Sequence, residues 1–438
     1  MKKMFFFALA AAGMLTACSN DDTLGGNGEQ NVSEQQIRLG VASSKVQTRG
    51  TGTVGGMTDA ENVWAGQTLW VYMLQKGSMD LAYYKAPAVG GVATPDVEVF
   101  NNKKFTAPDA ANNTKSGLAT TADGTIAYYP VSGNYDFWGY RVDDAAGATP
   151  VVKTVDDTGA AVEANVATKR VVDIEIDGSQ DIMAGKAAPS ADEVTKLGNY
   201  ADNFYSAYAA RKGVQPNITF NHLLTRFTFE VRAGSKATAG LPAGGNTDAV
   251  KVTGVSVGSK TTGTLTVAYT GETKAAAELL TFTGDASPLK LMQRDETVAD
   301  NNAALIDLKP VTLTWPATGE ATVGDAIKVG EALLVAPGET EYPLTINLSQ
   351  DVLEKVGEVK VTKPLEQKAT IKMDGTKTFE PGKSYKVTIT VYGLEEIKVT
   401  ATLVPWVDGG SIDIDDDRNP NEGEYTEPTP ATPEPIEP

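Results

Sequence analysis

Between Ser384 and Val391 the chain alternates without a break. Tyr385, Val387, Ile389 and Val391 fall on one side, and Lys386, Thr388 and Thr390 on the other. A two-residue period cannot sit on a helix. It fits a strand with one face on a core, here Tyr385 to Val391, and the other, Lys386 to Thr390, toward water. The pattern recurs at Phe227, Phe229 and Val231, at Val311, Leu313 and Trp315, and at Leu344, Ile346 and Leu348. Strands this short and numerous, punctuated by turn residues, predict antiparallel β-sandwiches.

The phase of the alternation carries further expectations. Ile218 and Phe220 lie on even positions and Phe227, Phe229 and Val231 on odd ones, which predicts a bulge or corner between Leu224 and Arg226. Val250 to Val257 and Thr264 to Tyr269 read as a hairpin across Gly258–Gly263. Leu69 to Leu74 is apolar throughout and reads as a buried run closed by Lys76 and Gly77. The Ala/Gly/Thr/Asn-rich stretches 107–125 and 145–167 read as exposed insertions. Ser190 and Glu193 have capping-box spacing, and Val194, Leu197, Ala201, Phe204 and Tyr208 follow at helical intervals, which predicts one short helix that Gly198 weakens. Arg211 to Pro216 reads as a connector between domains.

The two ends differ from the rest. Met1-Lys2-Lys3 and the apolar run Met4–Leu15 have the form of a secretory signal, too short to span a bilayer. Leu15-Thr16-Ala17-Cys18 resembles the lipobox of bacterial lipoproteins, which implies acylation of Cys18, the one cysteine in 438 residues. A chain with no second thiol forms no internal disulfide, so core burial must hold it together. Hydrophobic residues at 41 % are enough for two real cores. At the far end an acidic run, Asp413 to Asp417, leads into a tail with six prolines, expected to be extended and solvated.

Ile37, Leu39 and Val41 alternate with Arg38 and Gly40 in a strand that gives way to Ser43, Ser44 and Lys45. Arg49 and Gly50 follow, opening a Gly/Thr stretch that a trypsin-like protease could cut. Cutting there would free a strand from the sheet built around it. The same residues also fit a terminal strand beside an ordinary surface arginine.

Catalytic chemistry is scarce. With one histidine and one cysteine, two-histidine metal sites and thiolate clusters are excluded, and no GxSxG elbow or phosphate-binding loop occurs. A net charge of −18 argues against nucleic acid and anionic lipid surfaces as partners. His222, between Phe220 and Leu224, reads as a structural histidine at a strand end. Asp173, Glu175, Asp177, Gly178 and Asp181 mimic half of a calcium loop, but Ala184 stands where the bidentate carboxylate belongs. No metal or cofactor is therefore expected. Trp64, Tyr83, Tyr84 and Tyr140 could form a glycan-stacking platform, yet they fall within strand patterns and read as core.

The order of several segments resembles the fimbrillin family, type V pilins of Gram-negative bacteria that include FimA-like and Mfa-like subunits. The matching pieces are Cys18, the strand ahead of Arg49, and Ala127-Tyr-Tyr-Pro130 with Tyr135-Asp-Phe-Trp-Gly-Tyr140. They continue with Gln180-Asp-Ile-Met-Ala-Gly185, Ile218 to Phe229, Phe379 to Tyr385, and Val399 to Gly410. The resemblance implies a lipoprotein of two tandem transthyretin-like β-sandwiches. It divides the chain into a signal peptide (1–17), a propeptide (18–49), two sandwiches (50–213 and 214–415) and an acidic tail (416–438). It further implies that an arginine-specific protease cuts at Arg49-Gly50 and releases the strand of Ile37, Leu39 and Val41. A neighbouring subunit then fills the groove, building a head-to-tail fimbria on the cell surface. The precursor is held at the outer membrane by lipid on Cys18, and the fimbria adheres to host or bacterial surfaces. Residues 424–438 lack the alternation of a donor strand, leaving Val399–Leu403 or Ile412 and Ile414, so the alternative is a tip or accessory subunit that accepts a strand without donating one. A monomeric glycan-binding lipoprotein and a surface hydrolase are the competing classes.

Overall fold

A computed structural model of the chain describes residue 37 and residues 39–43, 68–85, 96–106, 117–121, 127–130, 132–142, 149–234, 250–271, 274–295, 305–315, 323–352, 361–372, 377–392 and 397–404. The fold is all-β. Seven strands hydrogen-bond in a closed ring. In order around it they are β1 (Leu39–Ser43), β11 (Asn217–His222), β10 (Ile182–Lys186), β7 (Tyr135–Val142), β2 (Thr68–Gln75), β5 (Lys103–Thr106) and β6 (Gly117–Thr121).

The unbroken apolar run of β2 is explained by what covers it. Leu69, Val71 and Met73 belong to the barrel interior with Phe137, Met183, Ile218 and Phe220. Trp70, Tyr72 and Leu74 face the other way and join a second core with Trp138, Tyr140 and Ile182. The outer layer is the sheet β15 (Leu280–Thr283), β14 (Thr262–Tyr269), β9 (Lys169–Glu175) and β8 (Val152–Val155). Each of these large side chains is worth roughly 1.5–3 kcal/mol on burial, so both faces of β2 are committed. Gly139 and Gly185 are register partners on β7 and β10, and small for a reason. A Cβ on Gly139 would sit 2.6 Å from the Phe220 ring, and one on Gly185 would strike the Thr219 carbonyl.

Residues 225–404 supply a two-sheet sandwich. One sheet runs β20 (Ile327–Val335), β12 (Thr225–Ala233), β23 (Ser384–Val391), β24 (Ile397–Val404). The other runs β16 (Ser287–Lys290), β13 (Val250–Ser259), β21 (Glu341–Val352), β22 (Val361–Lys372), with β19 (Val311–Thr312) also on β13. Phe227 stands at its centre, edge-on to Tyr342 at 5.3 Å and to Phe379 at 5.2 Å. Two small ribbons, β3 (Tyr83–Lys85) with β4 (Asp96–Glu98) and β17 (Met292–Arg294) with β18 (Leu305–Asp307), complete the strands described.

The corner falls at Leu223–Leu224, both fully buried, where the chain leaves β11 in the barrel for β12 in the sandwich. A register shift follows between Phe227 and Phe229. Helix α1 (Ala191–Leu197) carries the expected capping box of Ser190 and Glu193 and stops at Gly198, whose φ is +54°. A 3₁₀ segment (Gly198–Asn203) and a short helix α2 (Ala207–Arg211) follow, and α3 (Ala276–Leu279) precedes β15.

Other expectations are corrected. β13 and β14 form no hairpin, because β13 pairs with β16, β19 and β21 while β14 pairs with β9 and β15. The link between them, Lys260–Thr261, lacks the Asn-Gly chemistry that a two-residue hairpin turn demands, and the chain changes sheets instead. Thr388 and Thr390 are not solvated: they are 8 % and 2 % exposed. β23 is an inner strand, and its outer face is crossed by long neighbours, Arg232 donating to the Thr390 hydroxyl at 3.0 Å. The stretches 107–125 and 145–167 contain β6 and β8 rather than loop alone. Finally, β11 lies beyond residue 213 yet belongs to the barrel, and β9 and β14 pair across that residue.

Candidate functional site

The position that stands apart is β1. It bridges β6 and β11, and so closes the ring. On one side Gly40, Val41, Ala42 and Ser43 pair in parallel with Asn217, Ile218, Thr219 and Phe220. On the other, Leu39, Gly40 and Val41 pair antiparallel with Ala119, Leu118 and Gly117. The Ile37 N–H donates to the Ala127 carbonyl at 2.8 Å. Ile37 and Leu39 are buried in the barrel core beside Ile218 and Phe220. Val41 pairs through its backbone, while its side chain and the residues Cys18, Arg49 and Gly50 lie outside the described residues.

The attachments around β1 are uneven. β11 holds four of its residues, but β6 meets three and is itself tied to β5 by only two register pairs. Sequence reasoning missed β6 and the parallel partnership with β11. Gly117-Leu-Ala-Thr-Thr121 has one large apolar residue and no period to read.

A sequence profile of the fimbrillin-like family matches residues 57–406. The chain belongs to the fimbrillin-like family. No curated protein sequence matches it. Among solved structures it is similar to a candidate cell adhesion protein from Bacteroides uniformis, at 16 % identity and a TM-score of 0.41, covering 85 % of this chain and 98 % of that one. It is also similar to a candidate cell adhesion protein from Bacteroides eggerthii, at 15 % identity and a TM-score of 0.32, covering 85 % and 96 %. A third is the fimbrial anchor protein Mfa2 from Porphyromonas gingivalis, at 8 % identity and a TM-score of 0.27, covering 84 % and 97 %.

In this fimbrillin-like chain the other residues singled out by sequence are dispersed. His222 ends β11 inside the protein, its Nδ1 3.0 Å from the Asp181 carboxylate. Arg141 lies 3.7 Å from the same carboxylate and also donates to the Asp181 carbonyl at 3.4 Å. Asp181 is therefore bound into a buried cluster joining β7, the start of β10 and β11. Asp173 faces outward in an ion pair with Lys153, and Asp177 accepts from the Ser179 N–H at 2.7 Å. Those carboxylates do not converge on a cation, and no group of three or more ligand residues occurs among the described residues. Arg226, just past the corner, donates to the Ser384 hydroxyl at 3.0 Å. Burial pulls its pKa down to about 10, against the opposing pull of Glu331 and Asp181. Tyr140 is fully buried and Tyr83 is exposed; Trp64 and the Tyr84 side chain lie outside the described residues.

Proposed function

We propose that this chain is a structural subunit of a cell-surface fimbria that serves adhesion, assembled by strand exchange. The observation that carries the reading is β1, a five-residue strand that, among the described residues, alone joins β6 to β11 and lies just ahead of Arg49. An arginine-specific protease cuts between Arg49 and Gly50 and frees Ile37, Leu39 and Val41 to leave. The departure exposes the backbone edges of β6 and β11 and uncovers Ile218 and Phe220. A strand from another fimbrial subunit then supplies the missing hydrogen bonds and side chains. Such pairing is head-to-tail and does not close, so it yields a filament. Lipid on Cys18 anchors the precursor in the outer membrane, and the signal peptide 1–17 is lost. The segments 50–213 and 214–415 are two halves of one subunit, laced together where β9 pairs with β14. The subunit needs no catalytic residue, metal or cofactor for this role.

One observation favours a tip or accessory role as a second reading. β24 contains the candidate donor Val399–Leu403, and its residues pair with β23 from Ile397 to Val404. A donor drawn from β24 would have to leave eight register pairs behind. Ile412 and Ile414 lie outside the described residues.

The test is to express the wild type and Arg49→Ala, treat both with an arginine-specific protease, and follow size by chromatography and electron microscopy. The wild type should polymerise after a lag, and Arg49→Ala should stay a folded monomer. Filaments of uncut Arg49→Ala would sink strand exchange. A cut wild type that stays monomeric among its own copies would mark a tip or accessory subunit.

A further inference from the structure

Between β10 and β11 the chain makes a helical excursion through α1, the 3₁₀ segment and α2. Two features of it are unusual for this molecule. Tyr200 and Tyr208 are 54 % and 36 % exposed, and their rings meet at 5.0 Å with a 52° tilt. Tyr83 is the other exposed aromatic ring among the described residues. Over the Tyr208 ring stand two cations, the Arg211 guanidinium at 5.9 Å and the Lys212 ammonium at 5.7 Å from its centroid. Neither cation has a carboxylate within ion-pair distance among the described residues, in a chain of net charge −18.

The platform is also held rigid. Tyr205, between the two tyrosines, has a left-handed backbone at φ +61° yet is fully buried, edge-on to Phe137 at 5.7 Å. Its carbonyl accepts from the Tyr135 N–H at 3.0 Å. Such a conformation is unfavourable for a bulky side chain and persists only where the surroundings dictate it. Ser206 then caps α2 by accepting from the Ala209 N–H at 3.1 Å. A strained backbone at Tyr205, anchored in the barrel core, thus lies between Tyr200 and Tyr208.

We infer that Tyr200, Tyr208, Arg211 and Lys212 form a preorganised platform for an acidic polysaccharide. The Tyr200 ring, tilted against Tyr208, offers a face to the C–H side of a pyranose, and the two cations held over Tyr208 receive its carboxylates through charge-assisted hydrogen bonds. Other occupants fit less well. A peptide adding as a strand needs an open sheet edge, and this excursion is helical. A nucleic acid carries a dense charge that the protein's own field repels. A polysaccharide with one carboxylate per ring has sparser charge, matched by two neighbouring cations. The inference gives the adhesive reading a ligand class. It is measurable on the uncut monomer, so it stands or falls apart from strand exchange.

The experiment immobilises the full chain and passes over it polygalacturonate, neutral dextran and polyglutamate. Polygalacturonate should be retained, more weakly as salt rises, and dextran and polyglutamate should not. Tyr200→Ala and Tyr208→Ala should each weaken retention about tenfold, with thermal unfolding unchanged for Tyr200→Ala, whose ring is the more exposed of the two. Arg211→Ala with Lys212→Ala should weaken it and flatten the salt dependence. Tyr83→Ala should change nothing. Equal retention of polyglutamate would overturn the saccharide class, and equal retention of dextran would overturn the role of the cations. No retention of polygalacturonate, or retention indifferent to both tyrosine substitutions, would overturn the site.

Discussion

The barrel and the sandwich are built from the same kind of strand and differ in how they are closed. In the sandwich, β21 and β22 share twelve register pairs and β12 and β23 share eight. The barrel is closed by β1, with four pairs on one side and three on the other, through a neighbour held by two. Cooperative units within one protein open at different free energies, and the unit with the shortest ladders opens first. The contrast makes the barrel the more readily opened of the two and the sandwich the more permanent. β22 adds to that permanence. It is the edge of its sheet, and Pro364 with Lys363, Lys368 and Lys372 discourages another strand from adding there.

The largest effect that would test this contrast is in the sandwich. Val387 is fully buried on β23, so Val387→Asp places an unpaired charge in the core and should unfold the chain at room temperature. Thr388→Asp should cost roughly 1–3 kcal/mol, because the hydroxyl it replaces is also shielded from water. Urea denaturation followed by circular dichroism reads both. Equal effects would mean that the two faces of β23 are equivalent, contrary to the packing described.

Next in size is the closure strand itself. Leu39→Ala should cost roughly 2–5 kcal/mol of local stability in the uncut chain. The loss should be confined to the barrel. Hydrogen exchange should speed up in β1, β6 and β11 while β12, β21 and β23 keep their protection. Uniform loss of protection would show that barrel and sandwich open together, and the contrast would collapse.

Much of this contrast was legible in the residues, and the gaps have physical causes. Alternation located β23, β12 and the strand at Ile37–Val41, since a half-buried strand writes its two faces into the sequence. It did not give partners. β1 lies beside β11, about 180 residues later, and no local pattern encodes a parallel pairing at that separation. β13 and β14 looked like a hairpin because two strands in succession usually are one. Thr388 and Thr390 looked solvated because polarity marks a face without saying what lies across it. The Tyr200–Tyr208 contact was not legible either, because Tyr208 fits the helical spacing begun at Val194, whereas the helix stops at Gly198 and Tyr205 takes a left-handed backbone before α2.

A smaller effect comes from the buried phenols, which occur in both regions. Burial pushes the Tyr72 hydroxyl, on the outer face of the barrel, up to about 12, with Arg170 opposing the shift. It raises Tyr342 in the sandwich as well. In the unfolded chain these groups ionise near pH 10, so above that pH the unfolded state sheds protons that the folded state retains. Stability should therefore fall between about pH 10 and pH 12, by about 1.4 kcal/mol per pH unit for each such phenol. Arg226 works the other way, because its lowered pKa lets the folded state lose a proton first as pH climbs from about 10. Chemical denaturation across that range gives the net slope. Tyr72→Phe should make it shallower, and an unchanged slope would show that Tyr72 is not shielded from water.

The smallest effect on folding should come from Cys18, which lies ahead of both regions in the chain. Its thiol has no second cysteine to bond, so neither the barrel nor the sandwich depends on it for a covalent link. Cys18→Ala should leave urea and thermal unfolding of the purified chain within about 0.5 kcal/mol of the wild type, as for a substitution away from any core. Its effect should fall on anchoring instead. Acyl chains give membrane affinity that scales with their buried methylenes, and none of that is available without the acceptor thiol. Metabolic labelling with a fatty acid should mark the wild type and not the variant, and the variant should appear in the soluble fraction. A labelled, membrane-bound Cys18→Ala would break the lipobox reading while leaving the barrel and its closing strand untouched. A shifted unfolding curve would mean that residue 18 contributes to the fold, and the separation of anchor from barrel would have to be abandoned.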